Sequence, residues 1–423
     1  MKFIVSYDVS KKINNKPERF EGFSVPYLYK KFKQKDDYNI IDLEKFKSLK
    51  FNDEDIVIIP FFNRHHLQLE HKMLSEQLVE IFGDNLFREN TLVILGTHAE
   101  SNGNQVRGDD KLLNTEAGDL IYSNIQKNNQ KVKLIVDGSN TYGMNKPNDS
   151  KSSLVSAQFF VEWAETLMND YKGKEIFQHN LKKIEKLQDR DKTFTCLQRR
   201  PRQCRVINLY NIYNQDLQDT GYYSLRLNSL DSVRHWKFQL LKDREWRVES
   251  DDWINFNTKF KDFLEIIKEH GDYTCDEANL YVNQAFDLNQ THYLNSYFQV
   301  VAETLTNSHT IFFTEKIYKP IICGSPFFVL GNRHSLKSLQ NLGFKTFSDW
   351  WDESYDEYYS HYERSKKVFS IVKDLSNKPK SYLNSMLLEQ KEILVHNHNN
   401  MIKLINDNYY IDDMLDILVG DKK

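Results

Sequence analysis

Cysteine is scarce in this chain of 423 residues: Cys196, Cys204, Cys275 and Cys323 stand alone, with no CxxC spacing. That excludes a small disulfide-framed module, offers no cysteine-built structural metal site, and predicts a reducing compartment. Long apolar runs are missing as well. None approaches the length that crosses a bilayer, and Met1-Lys2-Phe3-Ile4-Val5-Ser6-Tyr7-Asp8 lacks the length and cleavage site of a signal peptide. These residues predict a first strand, and the chain is expected to be soluble and cytoplasmic, with no membrane insertion. The glycine patterns GxGxxG and GxxxxGK[ST] are absent, which argues against a dinucleotide oxidoreductase and a P-loop NTPase. HExxH is absent too, and His65, His66 and His71 have no ligand partner at a recognised spacing, so no zinc centre is expected. The Asp-x-Asp patterns Asp53-Glu54-Asp55 and Asp189-Arg190-Asp191 precede their strands instead of ending them, which argues against a metal role. An excess of one charge is lacking: 57 basic and 60 acidic residues leave a net charge of -3 and name no partner.

What is there suits two cores. The chain is 40% hydrophobic and 13% aromatic, and its length fits two domains. Phe3 to Tyr7, Ile56 to Phe62, Leu92 to Leu95 and Leu134 to Val136 are apolar runs of strand length, and the second and third are nearly continuous, as in a parallel sheet covered on both faces. Leu67, Leu74, Leu78 and Ile81 form one helical stripe, and Phe160, Trp163 and Leu167 another. The βαβα order predicts a Rossmann-like open sheet with its site at the carboxyl ends of the strands. Those ends carry Asp8, then Asn63-Arg64-His65-His66, Thr97-His98-Ala99-Glu100, and Asp137. The Lys-rich stretch Leu181 to Asp191 marks the passage to a second unit of the same logic. Residues 1–185, 190–375 and 376–423 are the expected first domain, second domain and helical tail. In the second, strands are predicted at Thr193 to Leu197, Tyr297 to Val301 and Phe327 to Leu330, and a helix at Ser335 to Asn341 ends at Gly343.

Two charged clusters lie on strand-to-helix turns of this second unit. In Phe313-Thr314-Glu315-Lys316, Thr314 is placed to cap a helix whose free N–H groups point outward, with a lysine beside them. An anion is the natural guest of a helix N-terminus with an adjacent lysine, and a neighbouring carboxylate suits ribose hydroxyls. About a hundred residues earlier, Arg199-Arg200-Pro201-Arg202-Gln203-Cys204-Arg205 follows an apolar strand. Val206, Leu209, Tyr210, Tyr213 and Leu217 then recur at helical spacing, which puts Arg205 at a helix mouth. Read alone, four arginines fit a solvated surface or a nucleic-acid patch as well as they fit an anion site.

The pairing of Ala302-Glu303-Thr304 with Thr314-Glu315-Lys316, after an arginine at a helix start, resembles the donor-binding half of the α1,3-fucosyltransferase family of GT-B glycosyltransferases. It is also similar to phage-encoded, fucosyltransferase-like proteins, through Arg199-Arg200-Pro201-Arg202, residues Gly343 to Phe347, and Asp352 to Asp356. The likeness covers roughly residues 190 to 360. It implies an α/β GT-B fold, two Rossmann-like domains facing a central cleft with a helical C-terminal tail. It also implies an inverting transfer from a nucleoside-diphosphate sugar; a diphosphate site built from Arg, Lys and helix amides then requires no metal, and no other cofactor is expected. Arg205 and Lys316 would hold the diphosphate, Glu315 the ribose, and Glu303 a supporting position near the sugar; Thr314 and Arg200 complete the expected donor set. The triplet here is Ala-Glu-Thr where the family has aromatic-Glu-Asn, which leaves the donated sugar open.

An inverting transferase of this kind needs a base from its first domain, and Glu100, His98, His65 and Asp8 are the candidates, with Asp137 of similar standing. Gly96 and Gly103 bracket His98 and Glu100 with a permissive loop. The likeness to phage proteins points to hydroxymethylated pyrimidine in DNA as acceptor. Residues 1 to 50 carry 12 Lys/Arg against 7 Asp/Glu, including Lys30, Lys31, Lys33 and Lys35, which suits phosphate contacts. The acidic stretch that follows suits a glycan acceptor equally well. The rivals are a non-catalytic nucleic-acid-binding protein, disfavoured because its basic residues would form a stripe, and an assembly protein with a degenerate transferase fold.

Overall fold

Six parallel strands form the first sheet of the computed structural model, which describes residues 1–6, 38–63, 91–97, 132–137, 154–157, 161–199, 201–227, 250–275, 288–304, 306, 311 and 313–406. They are β1 (Lys2–Ser6), β2 (Tyr38–Asp42), β3 (Ile56–Asn63), β4 (Thr91–Thr97), β5 (Val132–Asp137) and β6 (Leu154–Ala157), in the order β2-β1-β3-β4-β5-β6. Val5, Val57 and Ile58 are completely buried, as strands in the middle of a two-sided parallel sheet must be. After β2 the helix α1 (Leu43–Ser48) begins at Asp42, whose side chain accepts from the Lys45 N–H at 2.7 Å. The chain leaves β1 towards β2 and returns on the other side at β3, so the first sheet reverses direction between β1 and β3. At its carboxyl edge Asn63 is level with Thr97, and Thr97 with Val136.

The second sheet has four parallel strands, β7 (Lys192–Leu197), β8 (Gly221–Ser224), β9 (Ser296–Ala302) and β10 (Phe327–Leu330), in the order β10-β9-β7-β8. Every residue of β9 and β10 is buried, which requires cover on both faces. The helices around it are α2 (Val161–Asp170), α3 (Gly173–Glu185), α4 (Gln203–Asn214), α5 (Ser250–His270), α6 (Gln290–Leu294), α7 (Glu315–Cys323), α8 (Ser335–Asn341), α9 (His361–Ser376), α10 (Lys380–Glu389) and α11 (Lys391–Asn406). Helix α9 lies against β7, β10 and α4, while α7 lies against β9 and α3. The outer edge of β10 is closed by side chains: the Val329 N–H donates to the Tyr355 hydroxyl at 3.1 Å, and Trp351 stacks on Phe328 with ring centroids 4.3 Å apart. The helix expected from Ser335 to Asn341 has those bounds and is followed by Gly343 at φ +83°, a left-handed position that glycine adopts without strain.

The chain divides into one compact unit that starts at Met1 and reaches Glu162, and a second that runs from Trp163 to Asn307 and from Phe313 to Ile405. The division falls before α3, some twenty residues ahead of the Lys-rich stretch used to place it from sequence. The physical reason is a buried polar joint. Asn180 on α3 donates to the carbonyls of Cys323 (2.8 Å) and Gly324 (2.9 Å) at the end of α7, and accepts from Arg190 at 2.7 Å. The helices after Pro379 also belong to this unit. Asn384 donates to Asp189 at 2.7 Å, and Asn397 exchanges hydrogen bonds with the Lys345 backbone at 2.8 and 2.9 Å. No described helix is long and apolar enough to cross a membrane.

One more contact of α11 generates a pH prediction. The His398 ring stacks on Phe177 at 3.8 Å, and its Nδ1 lies 3.4 Å from the Ile321 carbonyl. Burial pushes this imidazole down from 6.5 to about 4, with Lys174 adding to the fall and the Ile321 carbonyl opposing it. Because the unfolded chain takes up this proton first, the contribution is complete above pH 6.5 and is lost as the pH falls towards 4. The stability gap between wild type and His398→Phe should therefore shrink by about 2 kcal/mol from pH 7 to pH 5. Urea titrations of both proteins at the two pH values measure it, and a gap independent of pH would mean the ring is not held neutral.

Candidate functional site

The second sheet reverses direction between β7 and β9, since the chain leaves β7 towards β8 and comes back on its other side. In open parallel sheets the crevice at the carboxyl ends of such a strand pair is where ligands settle. Here β7 runs into the arginine turn and the start of α4, and β9 runs into Glu303 and Thr304. The start of α7 joins them. Helix α4 begins at Gln203, two residues before the position expected from sequence, and Arg205 lies in its first turn, only 5% exposed.

Thr314 organises the charges. Its hydroxyl donates to Glu303 Oε2 at 2.6 Å, accepts from Lys316 Nζ at 2.8 Å, and accepts from the Lys316 N–H at 3.4 Å as the N-cap of α7. A hydroxyl has one proton and two lone pairs, so its capacity is used up. The buried Glu303 carboxylate also receives the Thr314 N–H at 3.1 Å and the Thr304 N–H at 3.3 Å. Lys316 Nζ completes its own set with the Thr304 hydroxyl at 3.2 Å and Glu315 Oε1 at 2.9 Å. The arginine turn reaches the same group, because Arg202 Nη1 donates to the Thr304 carbonyl at 3.4 Å.

Burial raises the Glu303 carboxyl above its ordinary range, against the pull of Lys316 and the Thr314 hydrogen bonds. For Glu315 burial works in the same upward direction, but Lys316 and Lys319 together outweigh it and hold that carboxyl low. Burial lowers Arg205, and Arg202 adds to this, while Cys204, Glu315 and Glu303 act the other way. The cations and the carboxylates therefore share one electrostatic neighbourhood. Such a group can hold a polyanion on its arginines and lysine, and hydroxyls on its carboxylates.

The structure thus brings together Arg205, Glu303, Thr314, Glu315 and Lys316. First-turn amides of α7, expected to point outward, are engaged instead: the Lys316 N–H donates to the Thr314 hydroxyl at 3.4 Å, and the Ile317 N–H to the Thr314 carbonyl at 3.3 Å. Arg200, Asp8, His65, His98 and Glu100 lie outside the described residues, as do Lys30, Lys31, Lys33 and Lys35. Asp137 is the last residue of β5, at the carboxyl edge of the first sheet. In sequence, Asp8 and His65 follow β1 and β3, the two strands between which that sheet reverses. Among the described residues, no group of three or more His, Cys, Asp or Glu is arranged to hold a metal ion.

Sequence reasoning missed Thr304 and Lys319. The second carried a signal, since Lys319 stands four residues after Glu315 on one helix face. It also missed the polar layer behind α4. There Asn208 donates to Gln198 at 3.1 Å and accepts from Ser365 at 2.8 Å, and His361 Nε2 lies 3.1 Å from both the Cys204 carbonyl and Asn208 Oδ1. Comparison of the chain with protein-family models and with curated proteins gives no match in either.

The saturated Thr314 hydroxyl makes a direct prediction. Thr314→Val removes the shortest donor to a buried carboxylate and one acceptor of Lys316, and should cost roughly 2–3 kcal/mol, whereas Thr314→Ser should stay near wild type. Chemical denaturation of both variants decides; equal stability of the two would show that the hydroxyl holds nothing.

Proposed function

We propose that the chain is a glycosyltransferase that moves a sugar from a nucleoside-diphosphate sugar to a hydroxyl acceptor, its two units being the Rossmann-like domains of a GT-B enzyme. The supporting observation is the convergence, at the reversal point of the second sheet, of buried Arg205 with Lys316, Glu303 and Glu315. In this reading Arg205 and Lys316 take the diphosphate and stabilise the charge that develops as it leaves. Glu315 accepts ribose hydroxyls. Glu303 keeps Thr314 and Lys316 oriented beside the sugar. The two side chains supply the positive charge, so the proposed reaction calls on no divalent ion, and turnover should survive EDTA; loss in EDTA restored by manganese would overturn that part. Attack by the acceptor, with inversion, uses a base from the first unit among Asp8, His65, His98, Glu100 and Asp137. The proposed acceptor is a hydroxymethylated pyrimidine in DNA, on the resemblance to phage proteins and the basic run Lys30 to Lys35; transfer to oligosaccharides alone would replace it with a glycan.

Calorimetric titration with a panel of nucleoside diphosphates tests the donor site. Lys316→Ala and Arg205→Lys should each weaken binding by about tenfold or more, as expected for losing a charge-assisted contact of roughly 1.5–3 kcal/mol. Glu315→Gln separates the roles. It should weaken nucleoside diphosphates through the ribose but tighten inorganic pyrophosphate several-fold, because Lys316 is released from its ion pair. Failure of the wild-type protein to bind any nucleoside diphosphate would sink the transferase reading.

The base is tested by turnover. Replacing the residue that acts should depress the rate about a hundredfold or more while donor affinity is kept. Near-normal rates in single variants of all five residues would mean that the base lies elsewhere or that the reaction is not inverting.

A further inference from the structure

Helix α9 is remote in sequence from both loops of the site, yet its first turn holds both of them. His361 Nε2 faces two acceptors, the Cys204 carbonyl and Asn208 Oδ1, each at 3.1 Å, so this nitrogen carries the proton and donates to the turn of α4 that bears Arg205. Ser365 donates to Asn208 at 2.8 Å and accepts from Asn211 at 2.9 Å, and Asn208 passes the restraint to Gln198, the first residue after β7. Arg364 serves the other loop. Its guanidinium, 1% exposed, donates to the carbonyls of Tyr358 at 2.6 Å and Tyr359 at 2.8 Å, and to the carbonyl of Thr306, three residues after Glu303. His361, Arg364 and Ser365 have the i, i+3, i+4 spacing of one helix face.

We propose that His361, Arg364 and Ser365 form a positioning clamp that sets Arg205 against Glu303, Thr314 and Lys316. The buried hydrogen bonds of one rigid helix turn fix the two loops separately, His361 and Ser365 the arginine turn, Arg364 the segment after β9. None of the three touches the ligand. The clamp rests on the diphosphate reading of the site for its purpose, but its mechanics are measurable without any ligand.

The test is amide hydrogen exchange on the full chain for Ser365→Ala and Arg364→Lys, with Lys373→Ala on the same helix as control. Ser365→Ala should speed exchange in residues 199–205, and Arg364→Lys in residues 303–306, while α10 and α11 stay as in wild type. In parallel, Ser365→Ala should weaken nucleoside diphosphate binding about tenfold, and this loss should disappear in an Arg205→Lys background, because a residue that acts through Arg205 has nothing left to position. Exchange unchanged in the two loops, exchange faster everywhere, or affinity losses that simply add would each overturn the clamp. Should Arg364→Lys fail to fold, Ser365→Ala carries the test alone. If wild type binds no nucleoside diphosphate, the transferase reading falls, and the exchange pattern still decides whether the clamp exists.

Discussion

The hydrogen bond from Thr314 to Glu303 is the contact on which the other charges of the second unit are arranged. Glu303 is almost completely buried, and a buried carboxylate is tolerable only where donors surround it. Thr314 gives it both a hydroxyl and an amide, and the lone pairs of that hydroxyl then select where Lys316 rests. Lys316 in turn fixes Glu315, whose low carboxyl is owed to Lys316 and to Lys319 one turn further on. A local capping preference thus propagates into a three-dimensional pattern of alternating charge. The cost of desolvating these groups is large, and it is offset only while every partner is present.

Burial also explains why the arginine turn is more than a patch of surface charge. Arg205 is enclosed with Arg202 nearby, an arrangement unfavourable on its own, and Glu303 and Glu315 act against that penalty. Two like charges kept close together in a folded protein are a reservoir of attraction for a multiply charged anion. A solvated arginine run would have no need of the carboxylates.

How much of this was legible from sequence depended on how local the cause was. β3, β4 and β10 were readable because their sequences are nearly continuous apolar runs, and β10 is buried along its whole length. The missed strands β2, β6 and β8 lie at sheet edges, as β10 does, but lack its continuous apolar run: Tyr38-Asn-Ile-Ile-Asp and Gly221-Tyr-Tyr-Ser carry polar or half-buried residues. Thr314, Glu315 and Lys316 were legible because capping chemistry acts within one turn. The contact of His361 with Cys204 spans 157 positions, and Asn180 reaches Cys323 over 143, and no periodicity reports such meetings. For the same reason the burial of Arg190 was not legible: a charged, Lys-rich stretch looks like a short exposed helix leading into the second unit, yet Arg190 within it is a buried cation that donates to Asn180.

The closed edge of β10 has a bearing on how this protein behaves at high concentration. An open edge strand of four apolar residues, Phe327-Phe-Val-Leu330, would be a template for strand addition by another molecule. The Val329 N–H that would receive the incoming chain is already given to Tyr355, and the aromatic pair of Phe328 and Trp351 stands beside it. Among the described residues, the Tyr355 phenol thereby takes up the outward N–H of the most hydrophobic strand of the second sheet. Its protection against aggregation lasts as long as the Ser354–Glu357 turn that carries Tyr355 stays docked.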